Sequence, residues 1–263
     1  MINYIKSYIR DLLPARYQVP AKYYYNWLLN DLEKEMSLLK MIVKKQDRVI
    51  DIGGNRGVFA YRFWKLGANV EVFEPNPLCA TVLSAWSVGK SNVHVHAVAL
   101  SSAPGTANLH IPVDDSGAEH DASASIENNG FKNSRDQLVE LKMLDSYNFQ
   151  DVTMIKIDVE GHERSVIEGA ENTLRSYFPA LLIEIEQRHS TIPISKMFCQ
   201  INKFGYQGYF LKNDSLVSLE YFDVNRDQSV ENLGNQKSAY INNFLFLHQS
   251  RIDSGDYAQL IKL

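Results

Sequence analysis

The sequence predicts an α/β protein built on a mostly parallel sheet. After residue 46, short apolar runs alternate with stretches of helical spacing, which is typical of parallel strands joined by right-handed helical crossovers. Near the carboxyl end, two apolar runs follow each other without a clear helix between them, which predicts an antiparallel pair at one sheet edge. The 263 residues accommodate one large domain, predicted over 47–263, with a helical appendage over 1–46.

Five apolar runs supply the predicted strands, and three segments of helical spacing supply the helices between them. The strands are RVIDIG (48–53), VEVFEP (70–75), VHVHAVAL (93–100), MIKIDV (154–159) and ALLIEIE (180–186). The helices are predicted over 59–66, 77–88 and 164–176. The antiparallel edge pair is GYQGYFL (205–211) with YINNFLFLH (240–248).

Two further helices are predicted before the sheet, over residues 2–13 and 23–43, because their apolar residues recur at helical spacing. Pro14 ends the first helix. This helix either docks on the main domain or binds a membrane surface or a partner. Small and polar residues predominate over 101–137, which predicts a partly ordered excursion with one short strand, ANLHIP (107–112).

The composition argues against several classes of protein. With a net charge of −4 and a pI near 6.0, the chain lacks the basic field that a nucleic-acid partner requires. Cys79 and Cys199 allow at most one disulfide and have no metal-ligand neighbours at close spacing, which fits a reducing cytoplasm. No apolar run approaches the roughly 18 residues of a membrane span, and charged residues interrupt the amino-terminal segment. We therefore expect a cytoplasmic protein.

The clearest functional signal is VIDIGGNRGVFAYRFWKLG (49–67), which predicts a strand, a glycine-rich turn and a helix. Gly53, Gly54 and Gly57 allow a ligand to approach the backbone at the carboxyl edge of the sheet, where open α/β folds bind ligands. The spacing differs from the GxGxxG pattern of dinucleotide sites. Asp51, at the strand end, suits an ammonium group better than a phosphate.

A second acidic residue, Glu74, lies at the tip of the next strand, about 20 residues past the turn, where a carboxylate can hold the hydroxyls of a ribose. Asp51 and Glu74 together describe a nucleoside that carries an amine. S-adenosylmethionine has both features, with a sulfonium and no phosphate, and is the predicted cofactor. In the alternative interpretation the glycines form only a turn, and Glu74 is only an acidic residue at a helix start.

Five segments of the chain resemble the FkbM-type methyltransferases, a branch of the class I S-adenosylmethionine-dependent enzymes. They are DIGGNRG (51–57), FEPNP (73–77), VALSS (98–102), IKIDVEGHE (155–163) and NFLFL (243–247). The resemblance implies a Rossmann-like sheet of seven strands whose last strand inserts antiparallel. It also implies that the methionine part of the cofactor is surrounded by Asp51, Gly53, Asn55 and Gly57, that Glu74 holds the ribose, and that Asn76 and Ala99 lie near the adenine.

Methyl transfer to a hydroxyl requires a group that takes up the hydroxyl proton, and a positioned base contributes roughly 10²- to 10⁴-fold. Asp158 and Glu160 share one face at the end of the strand MIKIDV, His162 lies just beyond it, and these three are the predicted catalytic residues, with Asp158 also a candidate for cofactor contact. His162 is a candidate base because imidazole titrates near neutral pH. Lys156 with a carboxylate forms either a structural ion pair or part of the site.

The next strand tip offers Glu184, Glu186 and His189 as acceptor-binding residues. With Asp158 they could hold a divalent cation, but the spacing does not require one and no metal site is expected. Residues 116–130 resemble the family's variable substrate segment. Their small and amide side chains suit a hydroxyl-rich acceptor and a mobile lid, and a solvated loop is the alternative.

We therefore predict an S-adenosylmethionine-dependent O-methyltransferase that acts on a hydroxyl of a sugar, a glycan precursor or a related natural product and releases S-adenosylhomocysteine. A largely apolar pocket would favour a polyketide or lipid hydroxyl instead. A catalytically silent cofactor-binding partner protein is the alternative outside enzymes, and a nicotinamide dehydrogenase is a weaker one. The sequence leaves the oligomeric state open.

Overall fold

An eight-stranded sheet forms the centre of the computed structural model, which describes residues 13–127, 130, 132–229, 231 and 240–262. The strands in chain order are β1 (Arg48–Ile52), β2 (Asn69–Phe73), β3 (Val93–His96), β4 (Ala99–Leu100), β5 (Gly105–Pro112), β6 (Ser134–Lys142), β7 (Val152–Ile157), β8 (Ala180–Glu184), β9 (Tyr206–Lys212), β10 (Ser215–Ser218) and β11 (Asn243–His248). The order across the large sheet is β10-β9-β11-β8-β7-β1-β2-β3.

The predicted α/β class and mostly parallel sheet are confirmed. β1, β2, β3, β7 and β8 are parallel, and β11 inserts antiparallel between β8 and β9. β10 pairs with β9 and adds an eighth strand to the seven predicted.

Helices cover both faces of the sheet, as the alternation of strands and helices predicts. They are α1 (Ala15–Leu28), α2 (Leu39–Ile42), α3 (Val58–Lys65), α4 (Pro77–Ser87), α5 (Glu163–Glu168), α6 (Glu171–Tyr177), α7 (Ile194–Asn202), α8 (Val224–Asp227) and α9 (Gln249–Asp253). Successive strand residues enter different cores: Val49 packs with α1, α3 and α4, whereas Ile50 packs with α5, α6 and α7. Within the described ranges, no helix is both long and apolar enough to cross a bilayer.

The amino-terminal segment follows a different path from the predicted one. The helix expected over 23–43 is wrong beyond Leu28, because Asn30 adopts a left-handed φ of 55° and Glu33 is extended before a 3₁₀ turn over Lys34–Ser37. This bend brings Met36 and the residues of α2 into the core, which a straight helix would not do. The helix predicted over 2–13 falls almost wholly on residues 1–12, outside the described residues.

Two predicted elements are divided in the structure. The run 93–100 separates into β3 and β4, and β4 leaves the large sheet to pair with β6. The helix predicted over 164–176 is interrupted between Glu168 and Glu171. At this break the backbone of Gly169 packs closely against the carbonyl group of Ser101. A Cβ at position 169 would lie 2.1 Å from that carbonyl oxygen.

The polar excursion is more ordered than the sequence indicates. β5 and β6 pair antiparallel from Gly105 opposite Leu141 to Pro112 opposite Ser134, and with β4 they form a second sheet of three strands. The predicted short strand lies within β5. β6 was not predicted, because among its nine residues only Val139 is buried and the apolar signal is correspondingly weak.

Candidate cofactor and acceptor site

The glycine-rich loop lies between β1 and α3 at the carboxyl edge of the sheet, as predicted. The amides of Gly53 and Gly54 donate to the carbonyl oxygen of Phe73 at 2.9 and 3.1 Å, which ties the loop to the end of β2. Gly53 has a φ of +77°, and a Cβ on it would lie 1.7 Å from the carbonyl oxygen of Asp158. Gly57, with a φ of +78°, is the residue that precedes α3. Glycine therefore lets the loop pack closely against the end of β7, and Gly53 and Gly54 line a cavity beside it.

Glu74 is buried beside this loop. Its Oε2 accepts a hydrogen bond from the amide of Asn55 at 2.6 Å, and its Oε1 accepts one from the amide of Asn76 at 2.7 Å. Burial raises the pKa of Glu74 to about 7, against the effect of the two amides. A carboxylate oxygen can accept more than one hydrogen bond, so both oxygens retain capacity for the hydroxyls of a ribose.

Asp51 is the second buried carboxylate of the loop. The residue is 1% exposed, neither carboxylate oxygen is bonded by a side-chain donor among the described residues, and the backbone amide of Ala60 lowers its pKa. Burial raises its pKa to about 6, and the nearby charge of Lys156 opposes that change. A buried carboxylate without side-chain donors is unfavourable, and a ligand ammonium group would relieve it. This buried carboxylate and the backbone of Gly53 and Gly54, which line the same cavity, fit the amino-acid end of S-adenosylmethionine.

Two cavities meet at the loop and share Gly53, Asn55 and Asp158. The first, of about 50 Å³, has an apolar wall that includes Phe73 and Ala99 and also contains Glu74. The second, of about 170 Å³, is lined by residues from the sheet, the loop and the amino-terminal segment, among them Asp51, Phe59, Lys156 and Glu33. The predicted ribose and ammonium contacts therefore lie in adjoining cavities.

Asn76 has a structural task at this edge. Its side chain accepts from the amide of Leu78 at 3.1 Å and so caps α4, while its own amide holds Glu74. Its side chain is not part of the wall of the first cavity. Asn76 therefore acts on the site through its backbone amide, which holds the carboxylate of Glu74 in position.

Residues 121–127, which we call the cover segment, close the first cavity. Arg56 Nε donates to Asp121 at 2.9 Å, Ser125 Oγ donates to the carbonyl of Glu160 at 2.7 Å, and Glu127 lies 2.6 Å from His162. Small-molecule pockets usually measure about 300–1,000 Å³, far more than the enclosed 50 Å³. The cover segment therefore leaves this cavity smaller than the usual volume of a small-molecule site.

The three predicted catalytic residues line the first cavity, and each has a partner. Asp158 Oδ2 lies 2.6 Å from the ammonium of Lys156, and Glu160 Oε2 lies 3.0 Å from Nδ1 of His189. His162 places Nδ1 2.6 Å from Glu127 and Nε2 3.0 Å from the hydroxyl of Ser101. Both ring nitrogens of His162 are thus engaged while the cover segment is closed.

Lys156 lies among the carboxylates at the end of β7. It is 1% exposed, and its ammonium lies 4.7 Å from the centre of the Phe59 ring. Burial disfavours its charge, but its carboxylate neighbours raise its pKa above the ordinary value; they are Asp158, Glu33, Glu184 and Asp51. Lys156 is therefore a permanent positive charge that holds the acidic cluster together.

Of the predicted acceptor residues, Glu184 lies among the carboxylates around Lys156 that include Asp158, whereas Glu186 and His189 have partners of their own. Glu184 accepts from Nδ2 of Asn242 at 2.6 Å, and burial raises its pKa well above the usual value. Glu186 is paired with Arg188, whose Nε lies 2.5 Å away, and lines a separate cavity of about 620 Å³. Hydrogen bonding to Glu160 raises the pKa of His189. In the described part of the chain, no three His, Cys, Asp or Glu residues are grouped to hold a metal ion.

Glu33 is a site residue that the sequence analysis missed. It precedes the 3₁₀ turn of the amino-terminal segment and lines the second cavity beside Lys156. Its segment lies outside the motifs that carry the family resemblance, and no spacing relates it to the loop. The sequence shows Glu33 only as an acidic residue between two apolar stretches, which does not distinguish it from exposed acidic residues.

Comparisons with known proteins identify the family of the chain. Residues 51–211 match the Methyltransferase FkbM domain family. The chain is 30% identical over 206 residues to the hexuronic acid methyltransferase AglP of Haloferax volcanii. The aligned residues cover 77% of each protein.

Among solved structures, the FkbM methyltransferase of Methylobacillus flagellatus KT superposes with a TM-score of 0.48 at 15% identity, over 78% of this chain and 44% of that one. The fibrillarin of Aeropyrum pernix, solved with S-adenosylmethionine, has a TM-score of 0.42 at 13% identity, over 81% of this chain and 72% of that one. The family match, which includes the glycine-rich loop and the strand IKIDVEGHE, confirms the resemblance found in the sequence. The chain belongs to the FkbM family of S-adenosylmethionine-dependent methyltransferases.

Proposed function

We propose that this methyltransferase methylates a hydroxyl of a sugar or glycan precursor. The observation that supports S-adenosylmethionine as the methyl donor is the pair of buried carboxylates, Asp51 and Glu74, beside the glycine-rich loop. S-adenosylmethionine supplies a methyl group activated by a positively charged sulfur. A sugar acceptor is supported by the relative that is named for a hexuronic acid and by the polar groups around the two cavities.

We assign the cofactor contacts as follows. Asp51 binds the ammonium group, Glu74 accepts hydrogen bonds from the ribose hydroxyls, and the apolar wall at Ala99 covers the base. The glycine-rich loop lets the ligand approach backbone atoms, with Gly53, Gly54, Asn55 and Gly57 as its contacting residues. Asp158, which borders both cavities, lies between the cofactor and the acceptor.

The acceptor side is formed by the residues that follow β7 and β8. Glu160 and His189 form one hydrogen-bonded pair, and Glu184 and Glu186 supply further acceptors for sugar hydroxyls. His162 contributes to proton uptake only when movement of the cover segment frees its Nδ1 from Glu127. The reaction releases S-adenosylhomocysteine, and this proposal requires no divalent cation.

Two further parts of the proposal concern the chain as a whole. Residues 1–46 form an appendage to a methyltransferase domain over 47–263, and the appendage completes the second cavity through Glu33. Cys79 and Cys199 are free thiols, which is consistent with the cytoplasmic location expected from the sequence.

Glu74→Gln is expected to weaken binding of S-adenosylhomocysteine about 30- to 100-fold, because a charged acceptor is replaced by an amide group that must turn a donor toward the amide of Asn55 or Asn76. Isothermal titration calorimetry measures the change. Glu71→Gln is the matched control, since Glu71 lies earlier on β2 and contacts His94 and His96 instead of the loop. Equal affinity in both variants and the wild type would contradict the ribose assignment.

The acceptor class can be tested with S-adenosylmethionine that carries an isotopic label in its methyl group. The protein is incubated separately with uronic acid glycosides, neutral saccharides, and hydroxylated lipids or polyketides, and methyl ethers are identified by mass spectrometry. We expect label in a saccharide ether. Transfer only to the apolar alcohols would replace the sugar proposal. Cofactor binding without transfer to any acceptor would indicate a silent binding protein.

A further inference from the structure

We propose that Glu33, contributed by the amino-terminal segment, is the catalytic residue that takes up the proton of the acceptor hydroxyl. The inference rests on the proposed O-methylation. It assigns a specific role in the reaction to a segment outside the matched family region, residues 51–211.

The backbone brings Glu33 to the site. α1 ends at Leu28, the chain bends through the left-handed Asn30, and Glu33 then stands at the start of the 3₁₀ turn with its side chain in the wall of the second cavity. Its Oε2 is inaccessible to water and has no hydrogen-bond donor among the described residues. The lone pairs of this oxygen therefore have no partner in the described structure, and a rotation of the Glu33 side chain in the cavity wall is needed to bring the oxygen to a substrate hydroxyl.

The electrostatic surroundings suit reversible protonation. Burial raises the pKa of Glu33 to about 7, Lys156 opposes this effect, and Asp158, Glu35 and Asp51 add to it. The other charged groups that line the same cavity are Lys22, Asp31 and Arg56. A general base is most effective when its pKa lies near the working pH. The raised pKa of Glu33 meets that condition.

Other groups of the two cavities are less suited to the task. Asp158 is held by Lys156, Glu160 by His189, and His162 by Glu127 and Ser101. Glu74 accepts from two backbone amides. Asp51 lines the same cavity as Glu33, but the proposed function assigns it to the ammonium group of the cofactor. Glu33 faces the cavity from the opposite side, on the amino-terminal segment.

The proposed step is balanced. The hydroxyl oxygen forms a bond to the methyl carbon while the carbon–sulfur bond breaks and its electron pair remains on sulfur. The hydroxyl proton passes to Oε2 of Glu33 and leaves to solvent after the products separate. Lys156 limits the negative charge of the cluster before the proton arrives.

Glu33→Gln tests the role, with Glu35→Gln as the matched control on the same turn, because Glu35 does not line either cavity. In the wild type we expect kcat to rise about tenfold per pH unit up to pH 7 and then level off. Glu33→Gln should lower kcat about 10²- to 10⁴-fold and remove this dependence. Glu33→Asp should retain the pH dependence at a lower rate, and Glu35→Gln should match the wild type. Cofactor affinity in Glu33→Gln should stay within about threefold by calorimetry.

Carboxyl NMR of glutamate-labelled protein gives a readout that does not depend on turnover. A resonance that is absent from Glu33→Gln should titrate near pH 7 in the wild type, and titration below pH 5 would overturn the proposal. An unchanged pH–rate profile, or a loss of cofactor affinity instead of kcat, would also overturn it. If the wild type itself methylates no hydroxyl, the proposed function fails as well. Active wild type with a normal Glu33→Gln variant refutes the role of Glu33 alone.

Discussion

Gly53→Ala should remove measurable cofactor binding and lower the free energy of unfolding by about 2–5 kcal/mol. A residue with a side chain pays about 1–2 kcal/mol for the left-handed backbone region, and Gly53 has a φ of +77°. The new Cβ would also lie 1.7 Å from the carbonyl oxygen of Asp158. That oxygen belongs to the backbone and cannot rotate away as a side chain could. The amide of Asp158 donates a hydrogen bond to the carbonyl oxygen of Ile52 at 3.0 Å, which holds the end of β7 against β1. The loop and the end of β7 must therefore separate.

Gly89→Ala is the matched control for this variant. Gly89 has nearly the same φ, +79°, but a Cβ on it would meet no atom within 4 Å. We expect a loss of only about 1–2 kcal/mol and unchanged binding of S-adenosylhomocysteine. Urea unfolding and calorimetry measure both quantities. Equal destabilisation of the two variants would show that the close approach of Gly53 to Asp158 contributes nothing.

The same loop shows what sequence patterns can predict about this fold. β1, the loop and α3 were predicted because a buried strand, closely spaced glycines and a helical run are all local signals. β6 was missed because its order depends on pairing with β5 along its whole length, while its own residues are mostly polar and exposed. The path after Leu28 was missed because both a straight helix and a bent chain accommodate the same apolar spacing.

The candidate site divides in a similar way. Asp51 and Glu74 were found because the first lies near the end of one strand and the second directly follows the next, and the carboxyl ends of both strands lie at the ligand edge. Glu33 was missed because its place depends on the packing of the amino-terminal segment against the loop. The cover segment was recognised as a polar excursion, but the contacts of Asp121 with Arg56 and of Glu127 with His162 join residues far apart in the chain. Such pairs have no local signature.

Lys156→Met should be the most pH-dependent of the substitutions. Methionine has a similar length but no charge, so the carboxylates around position 156 lose their shared cation. Removal of one partner from a buried ion pair typically costs about 3–5 kcal/mol. We expect a loss of this size in the free energy of unfolding at pH 8, measured by urea denaturation. Lys196→Met, which changes an exposed lysine on α7, should leave stability nearly unchanged.

The direction of the pH effect follows from the carboxylates. In the wild type the pKa values of Asp51 and Glu33 are already raised, to about 6 and about 7, and Lys156 lowers both. Without Lys156 the pKa values of Asp51 and Glu33 rise further. The folded protein then binds more protons than the unfolded chain over a wider pH range. Its stability therefore falls as the pH increases through that range. At pH 5.5 Asp51 and Glu33 are largely protonated, and the Lys156→Met loss should be clearly smaller than at pH 8. Equal losses at the two pH values would mean that Lys156 acts through its packing against Phe59 and not through its charge.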